Sequence, residues 1–150
     1  DADVDLAVAM AAGGAFGGTG QKCTASSRLI VHSAVHEEFV SKLLIATEAM
    51  KVGHALEAGT QIGPVVSQQQ LTENMAYVEL GKSEGAELLC GGQRLEMPTE
   101  GYYMAPGLFM STKTLAPTAW ARAAISSIGL QQPRVLLMWT KLTKRVFSES

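Results

Sequence analysis

The sequence predicts an α/β fold built on a parallel sheet. Three observations predict it: short apolar runs of strand character at 28–32 and 86–90, amphipathic helical periodicity between them, and Gly or Pro at the breaks. Strands that alternate with helices are the pattern of a parallel α/β sheet.

Each element has its own local reason. Asp3, Asp5 and the run Leu6 to Ala12 predict a helix with acids in its first turn, favourable to the helix dipole, ending at Gly13-Gly14. A Gly-rich loop follows. Arg28-Leu29-Ile30-Val31-His32 is short, β-branched and apolar, which predicts a mostly buried strand. A helix then starts at Ser33 or Ala34. Val35, Phe39, Leu43, Ala46 and Met50 recur at helical spacing, while Glu37, Glu38, Lys42 and Glu48 face water. After Ile62-Gly63-Pro64, Ser67 and Gln70 have the spacing of a capping box, and Leu71, Met75 and Val78 stripe the helix that follows. Gly85 stops it. Ala86-Glu87-Leu88-Leu89-Cys90 before Gly91-Gly92 predicts a second buried strand, and Tyr102-Tyr103-Met104 leading into Pro106 predicts an extended edge segment.

Composition bounds the function. A chain of 150 residues, 47% apolar and with a formal net charge of −2, has the material for one modest core. So balanced a charge gives no reason to expect nucleic acid or an anionic membrane as partner, and no stretch approaches the roughly 20 apolar residues that cross a bilayer. A cytoplasmic location is the default. Cys23 and Cys90 lie far apart without disulfide-like spacing, which fits a reducing compartment. Asp1-Ala2-Asp3-Val4-Asp5 carries no initiator Met, basic segment or apolar signal core, so a chain truncated upstream is expected.

Charge is unevenly distributed. Through Thr112 there are 6 Lys and Arg against 13 Asp and Glu, a net −7; from Lys113 onward there are 6 against 1, a net +5. The later stretch has no Asp, holds both tryptophans, and has Gly129 as its only glycine. This divides the chain into 1–112 and a divergent basic tail, 113–150. Two readings of the tail stand: a basic surface arm for a partner, or a segment out of frame with its ancestral gene. Ala116-Pro117 and Gln132-Pro133 interrupt it, and Val135-Leu136-Leu137-Met138-Trp139 is its one convincing apolar run, a candidate fortuitous strand.

Chemistry concentrates in Gly17-Gly18-Thr19-Gly20-Gln21-Lys22-Cys23-Thr24-Ala25-Ser26-Ser27-Arg28. A cysteine nucleophile acts as the thiolate, which backbone N–H groups and nearby positive charge favour. Glycines let the backbone approach a ligand closely, Lys22 adds positive charge, and the Cys23 N–H is placed to hold an oxyanion on an attacked carbonyl. The residues alone leave two readings open: a covalent catalyst, or an inert cysteine in a tight turn.

Phe16 through Val31, FGGTGQKCTASSRLIV, resembles the cysteine signature of the aldehyde dehydrogenase superfamily, in which an aromatic and glycines lead to Gly-Gln-x-Cys and then to Ala, Ser and Arg. The resemblance continues through Phe39, Gly53, Gly63-Pro64, Glu84-Gly85-Ala86, Gly91-Gly92 and Gly101-Tyr102-Tyr103-Met104-Ala105-Pro106, covering about residues 1 to 112. QKCTASSRL together with KVGHALEAGTQIGPVVS is most similar to the bacterial 2-oxoglutarate semialdehyde (2,5-dioxovalerate) dehydrogenases. The resemblance implies part of a parallel-sheet catalytic domain, truncated. It implies NAD(P)-dependent oxidation of a small-molecule aldehyde to a carboxylic acid, with Cys23 at the position of the nucleophile, through a thiohemiacetal and a thioester. Full-length relatives are implied to be homo-oligomers. The family's oxyanion Asn, general-base Glu, nucleotide-binding Gly-rich turn and ribose-contacting Lys belong upstream of Asp1. Its downstream Glu-Glu-Ile-Phe-Gly-Pro has no match in 113–150. The chain alone is therefore expected to be inactive.

Other residues carry weaker signals. Gln70 aligns roughly with a position near the cofactor ribose, and equally well serves as a helix cap. Glu73 falls where some relatives have Lys. Cys90 reads as a small core residue, and Lys22 as an exposed side chain with a modest effect on Cys23. His32, His36 and His54 have no metal-ligand spacing with the cysteines and read as surface or packing residues. Three functions stay open: an enzyme segment of an aldehyde dehydrogenase; a non-catalytic remnant of a disrupted gene; or an acyl-transfer or redox cysteine protein independent of nicotinamide.

Overall fold

The computed structural model describes residues 2–111 and the strand Arg134–Trp139; of Ser111 and that strand it describes the backbone. Helix α1, Val4–Phe16, starts where Asp3 takes an extended backbone and its carboxylate accepts the Leu6 N–H at 3.0 Å. The helix does not end at Gly13-Gly14 but runs on to Phe16. Ala15 and Phe16 are both 0% exposed. Burying the phenylalanine contributes about 1.5–3 kcal/mol, enough to offset roughly 0.5–1 kcal/mol for each helical glycine.

A short 3-10 turn, Gly17–Gly20, leads to strand β1, Arg28–Val31. The strand is one residue shorter than predicted, because His32 caps the next helix: its Nδ1 accepts the Ala34 N–H at 3.1 Å. It is also half-buried rather than mostly buried, with Val31 inside and Ile30 exposed. Helix α2, Ser33–Glu48, buries His36, Phe39, Leu43 and Thr47, while Val35 is exposed. The Lys42 ammonium sits 2.7 Å from both Asp5 of α1 and Glu38 of α2, and these two hydrogen bonds raise its pKa. The pair is exposed, so its value lies in orienting the helices more than in stability.

Helix α3, Gln68–Ser83, is capped by Ser67, whose Oγ accepts the Gln70 N–H at 3.1 Å. Its buried stripe is Leu71, Asn74 and Val78; Met75, predicted inside, is exposed. Gly85, at φ 87°, follows the helix end, and strand β2 spans Glu87–Cys90. That strand is only partly covered, its side chains exposed at Glu87 and half-buried from Leu88 on. The stretch Tyr102 to Ala105 is extended as predicted, but it pairs with 92–95 rather than with the main sheet: Arg94 bridges Met104, and the Ala105 N–H donates to the Gln93 carbonyl at 2.9 Å. The strand proper, β3, Gly107–Ser111, begins after Pro106. A proline has no N–H for a ladder and suits the position just before a strand.

The sheet order is β1-β4-β3-β2, where β4 is Arg134–Trp139. The tail's apolar run thus forms a strand; Ala116-Pro117 and Gln132-Pro133 lie outside the described residues. All three ladders are antiparallel, with Leu29 opposite Leu136, Phe109 opposite Leu137 and Leu88 opposite Phe109. This corrects the expected parallel pairing. The connection from β2 to β3 contains no helix and doubles back on itself, so it delivers β3 antiparallel to β2, and β4 separates β1 from β3.

The α/β class nevertheless holds, for a reason visible in two adjacent residues. Leu108, 0% exposed, joins the core of α1 and α2 with Ala15, Phe16, Phe39 and Leu43; Phe109, 1% exposed, joins the core of α3 with Leu71, Val78 and Met104. Successive strand residues point to opposite faces, so helices cover both sides of β3.

Candidate active site

Cys23 is exposed, on a turn that three tethers hold against the fold. After Phe16 the backbone reverses through three successive left-handed residues, Gly18, Thr19 and Gly20, each at φ 62°. Two are glycines, which adopt this conformation freely. Thr19 is not. Its Oγ1 donates to the Gly63 carbonyl at 3.2 Å. Two residues on, Gln21 Oε1 accepts the Val66 N–H at 3.0 Å, and the Ser26 N–H returns to the Gly14 carbonyl in the last turn of α1 at 3.1 Å. The loop that begins in α1 is therefore fastened to α1 and to the 63–66 segment.

Within it, the Lys22 carbonyl accepts the Ala25 N–H at 3.1 Å, so Cys23 and Thr24 are the two central residues of a β-turn. That closing bond uses the Ala25 N–H and not the Cys23 N–H. The Lys22 side chain is exposed, as expected, and folds back over Gly18: a Cβ there would lie 3.0 Å from its Cε and 3.7 Å from its Nζ. The ammonium thus lies over the same loop that carries the thiol.

The second cysteine has a different environment. Cys90 is half-buried among the core of α1 and α2, and its thiol pKa is raised, first by burial and then by the charge of Glu48, partly offset by a hydrogen bond with the Leu108 backbone. It lines a cleft of about 420 Å³ with Thr47, Glu48 and Gln93.

Gln70 is half-buried on the first turn of α3, and its Nε2 donates to Oδ1 of the buried Asn74 at 2.8 Å. The capping box is therefore only half formed, since the side chain turns along its own helix rather than back to Ser67. Asn74 in turn lines a cavity of about 20 Å³ beneath the cysteine loop, shared with Phe16, Thr19, Ile62 and Val65. Gln70 is thus linked to that cavity through Asn74. Glu73 accepts from Gln69 on the same helix at 2.9 Å. The Gly-rich stretch Gly17 to Gly20 runs from a helix into a strand, the reverse of the strand-to-helix turn that cradles a dinucleotide phosphate. The described residues do not fit a dinucleotide cradle. His36 is a packing residue, 3% exposed, while His32 and His54 use Nδ1 to accept local backbone N–H groups.

Sequence reasoning singled out Cys23 as a candidate and missed the bonds that hold its turn. The odd residue in Gly17-Gly18-Thr19-Gly20 was the available signal: a β-branched side chain in a glycine run has to be there for its side chain.

The aldehyde dehydrogenase family profile matches residues 1–121, past the division placed at Thr112. The chain belongs to the aldehyde dehydrogenase family. Among curated relatives, the α-ketoglutaric semialdehyde dehydrogenase of Bacillus subtilis is 45% identical over 111 residues, 73% of this chain and 23% of that protein. The betaine aldehyde dehydrogenase of Rhizobium etli is 46% identical over 110 residues, again 73% of this chain and 23% of that protein. Among solved structures, the NAD+ complex of the Bacillus cereus aldehyde dehydrogenase matches with a TM-score of 0.71 at 36% identity, covering 79% of this chain and 23% of that one. The resemblance to 2-oxoglutarate semialdehyde dehydrogenases thus has a close counterpart in the Bacillus subtilis relative. The Rhizobium etli protein is as similar, so identity does not choose between their substrates. The chain spans about a quarter of the length of these relatives. Among the described residues, no helix is long and apolar enough to cross a membrane.

Proposed function

We propose that this chain supplies the nucleophile segment of an NAD(P)-dependent aldehyde dehydrogenase, with Cys23 as the nucleophile. One observation carries the reading: an exposed thiol on a tethered turn, within a stretch that matches the family. The Cys23 Sγ forms a bond to the aldehyde carbon, and the carbonyl electrons move to oxygen. The Cys23 backbone N–H, which does not close the turn, is the chain's own donor for that oxyanion, and the Lys22 ammonium adds positive charge nearby. Held by parts of a complete enzyme outside the described residues, NAD(P) would supply the hydride acceptor that oxidation of this adduct to a thioester needs. Water then cleaves the C–S bond, releasing the carboxylic acid and regenerating the Cys23 thiol. Among the described residues, Gln70 is the candidate on the cofactor side, with a side chain already bonded to Asn74. A cytoplasmic location and assembly into homo-oligomers belong to the same proposal.

The test is a chimera in which residues 1–112 replace the matching segment of the Bacillus subtilis relative. Aldehyde oxidation with NAD or NADP is expected, and its loss on Cys23→Ala. A folded but inactive chimera, or one whose Cys23→Ala form stays active, overturns the reading.

A second reading rests on the change from −7 to +5 at Thr112: a non-catalytic remnant of a disrupted gene. It predicts that a chimera carrying residues 1–112 turns over and that one carrying residues 1–150 does not.

A further inference from the structure

We propose that Thr19 is the positioning residue of the Cys23 turn. The inference rests on Cys23 being the nucleophile and adds what aims it. Thr19 stands at φ 62°, ψ 21°, between two glycines at the same φ. A β-branched residue there is a conformational outlier, and such outliers persist only where surrounding contacts over-determine them. The over-determining contact is visible: Oγ1–H donates to the Gly63 carbonyl at 3.2 Å. A glycine at this position would remove the strain and the bond together. The Gln21–Val66 bond lands on the same segment, three residues further along, at 3.0 Å. Thr19 and Gln21 therefore fix the path of the backbone on one side of Cys23, and the Ser26–Gly14 bond fixes it on the other. Aim matters because a misplacement of roughly 1 Å at a reacting atom lowers a rate about a hundredfold.

The test uses the 150-residue chain carrying Cys90→Ala, so that alkylation by iodoacetamide reads Cys23 alone. Thr19→Val keeps the shape and removes the donor, Thr19→Ser keeps the donor, and Thr19→Gly removes the donor while relieving the backbone, so it folds even where the valine form does not. Each is alkylated at one pH, native and in urea, with circular dichroism confirming the native fold. A neutral hydrogen bond is worth about a fivefold shift between the held and the released turn. The native Thr19 rate is expected to differ from the urea rate, the Val and Gly forms to move about fivefold toward the urea rate, and the Ser form to stay with Thr19. Equal native rates in all four forms, distinct from the urea rate, overturn the role of Thr19. A native rate equal to the urea rate in the Thr19 form itself overturns the proposal, because the turn then imposes nothing on the thiol, while the reading of Cys23 stands or falls with the chimera.

Discussion

The Pro106 carbonyl occupies the space where a side chain on Gly91 would begin, and Gly91 itself stands at φ 67°. The turn after β2 therefore lies against the residue before β3, and the return of the chain into the sheet depends on a missing methyl group. Gly91→Ala is expected to destabilise the fold by more than about 2 kcal/mol, combining a left-handed non-glycine residue with displaced backbone. Urea unfolding measures it; a midpoint unchanged from wild type rules out this close approach.

The two thiols should be separable by reagent. Cys23 is exposed and Cys90 half-buried with a raised pKa, so iodoacetamide at neutral pH labels Cys23 first. Because burial and Glu48 both disfavour the Cys90 thiolate, its labelling climbs only above the ordinary thiol range, near 8.5. Glu48→Gln speeds Cys90 without bringing it level with Cys23, since burial is the larger cause. Mass spectrometry of time-quenched samples reads both sites, and preferential labelling of Cys90 refutes the assignment.

Ser67 and Gln70 make separate contributions to α3. Ser67→Ala removes the N-cap and should cost about 1 kcal/mol. Gln70→Ala leaves Oδ1 of Asn74, 3% exposed, without its donor, which should cost about 1–3 kcal/mol. If Gln70→Ala costs nothing in thermal unfolding, the bond to Asn74 is not structural, and the cofactor reading of Gln70 gains.

The tail admits a test outside the protein. If residues from Lys113 onward are out of frame, one of the other two forward frames beyond codon 112 encodes a Glu-Ile-Phe-Gly-Pro-like segment. Its absence from both returns 113–150 to the possible functional arms.

What could be read from sequence was what depends on near neighbours. The α3 cap at Ser67, the start of α2 at Ser33 and the stop at Gly85 are local, and each was legible. The continuation of α1 past two glycines was not, because Phe16 is held there by residues as distant as Leu108. Strand direction was not legible either, since it depends on the helix-free connection from Gly91 to Pro106 and on a strand from the tail. The signature marked Cys23 as a candidate, while the Thr19 tether requires knowing that Gly63, 44 residues away, lies alongside.

Sheet order also sets an order of events in time. β4, near the end of the chain, sits between β1 and β3. During synthesis the inner edges of β1 and β3 therefore wait, with their backbone N–H and C=O groups unmatched, until residues 134–139 have left the ribosome. A chain stopped short of Arg134 would present two open strand edges facing each other, and its natural remedy is the matching strand of a neighbour.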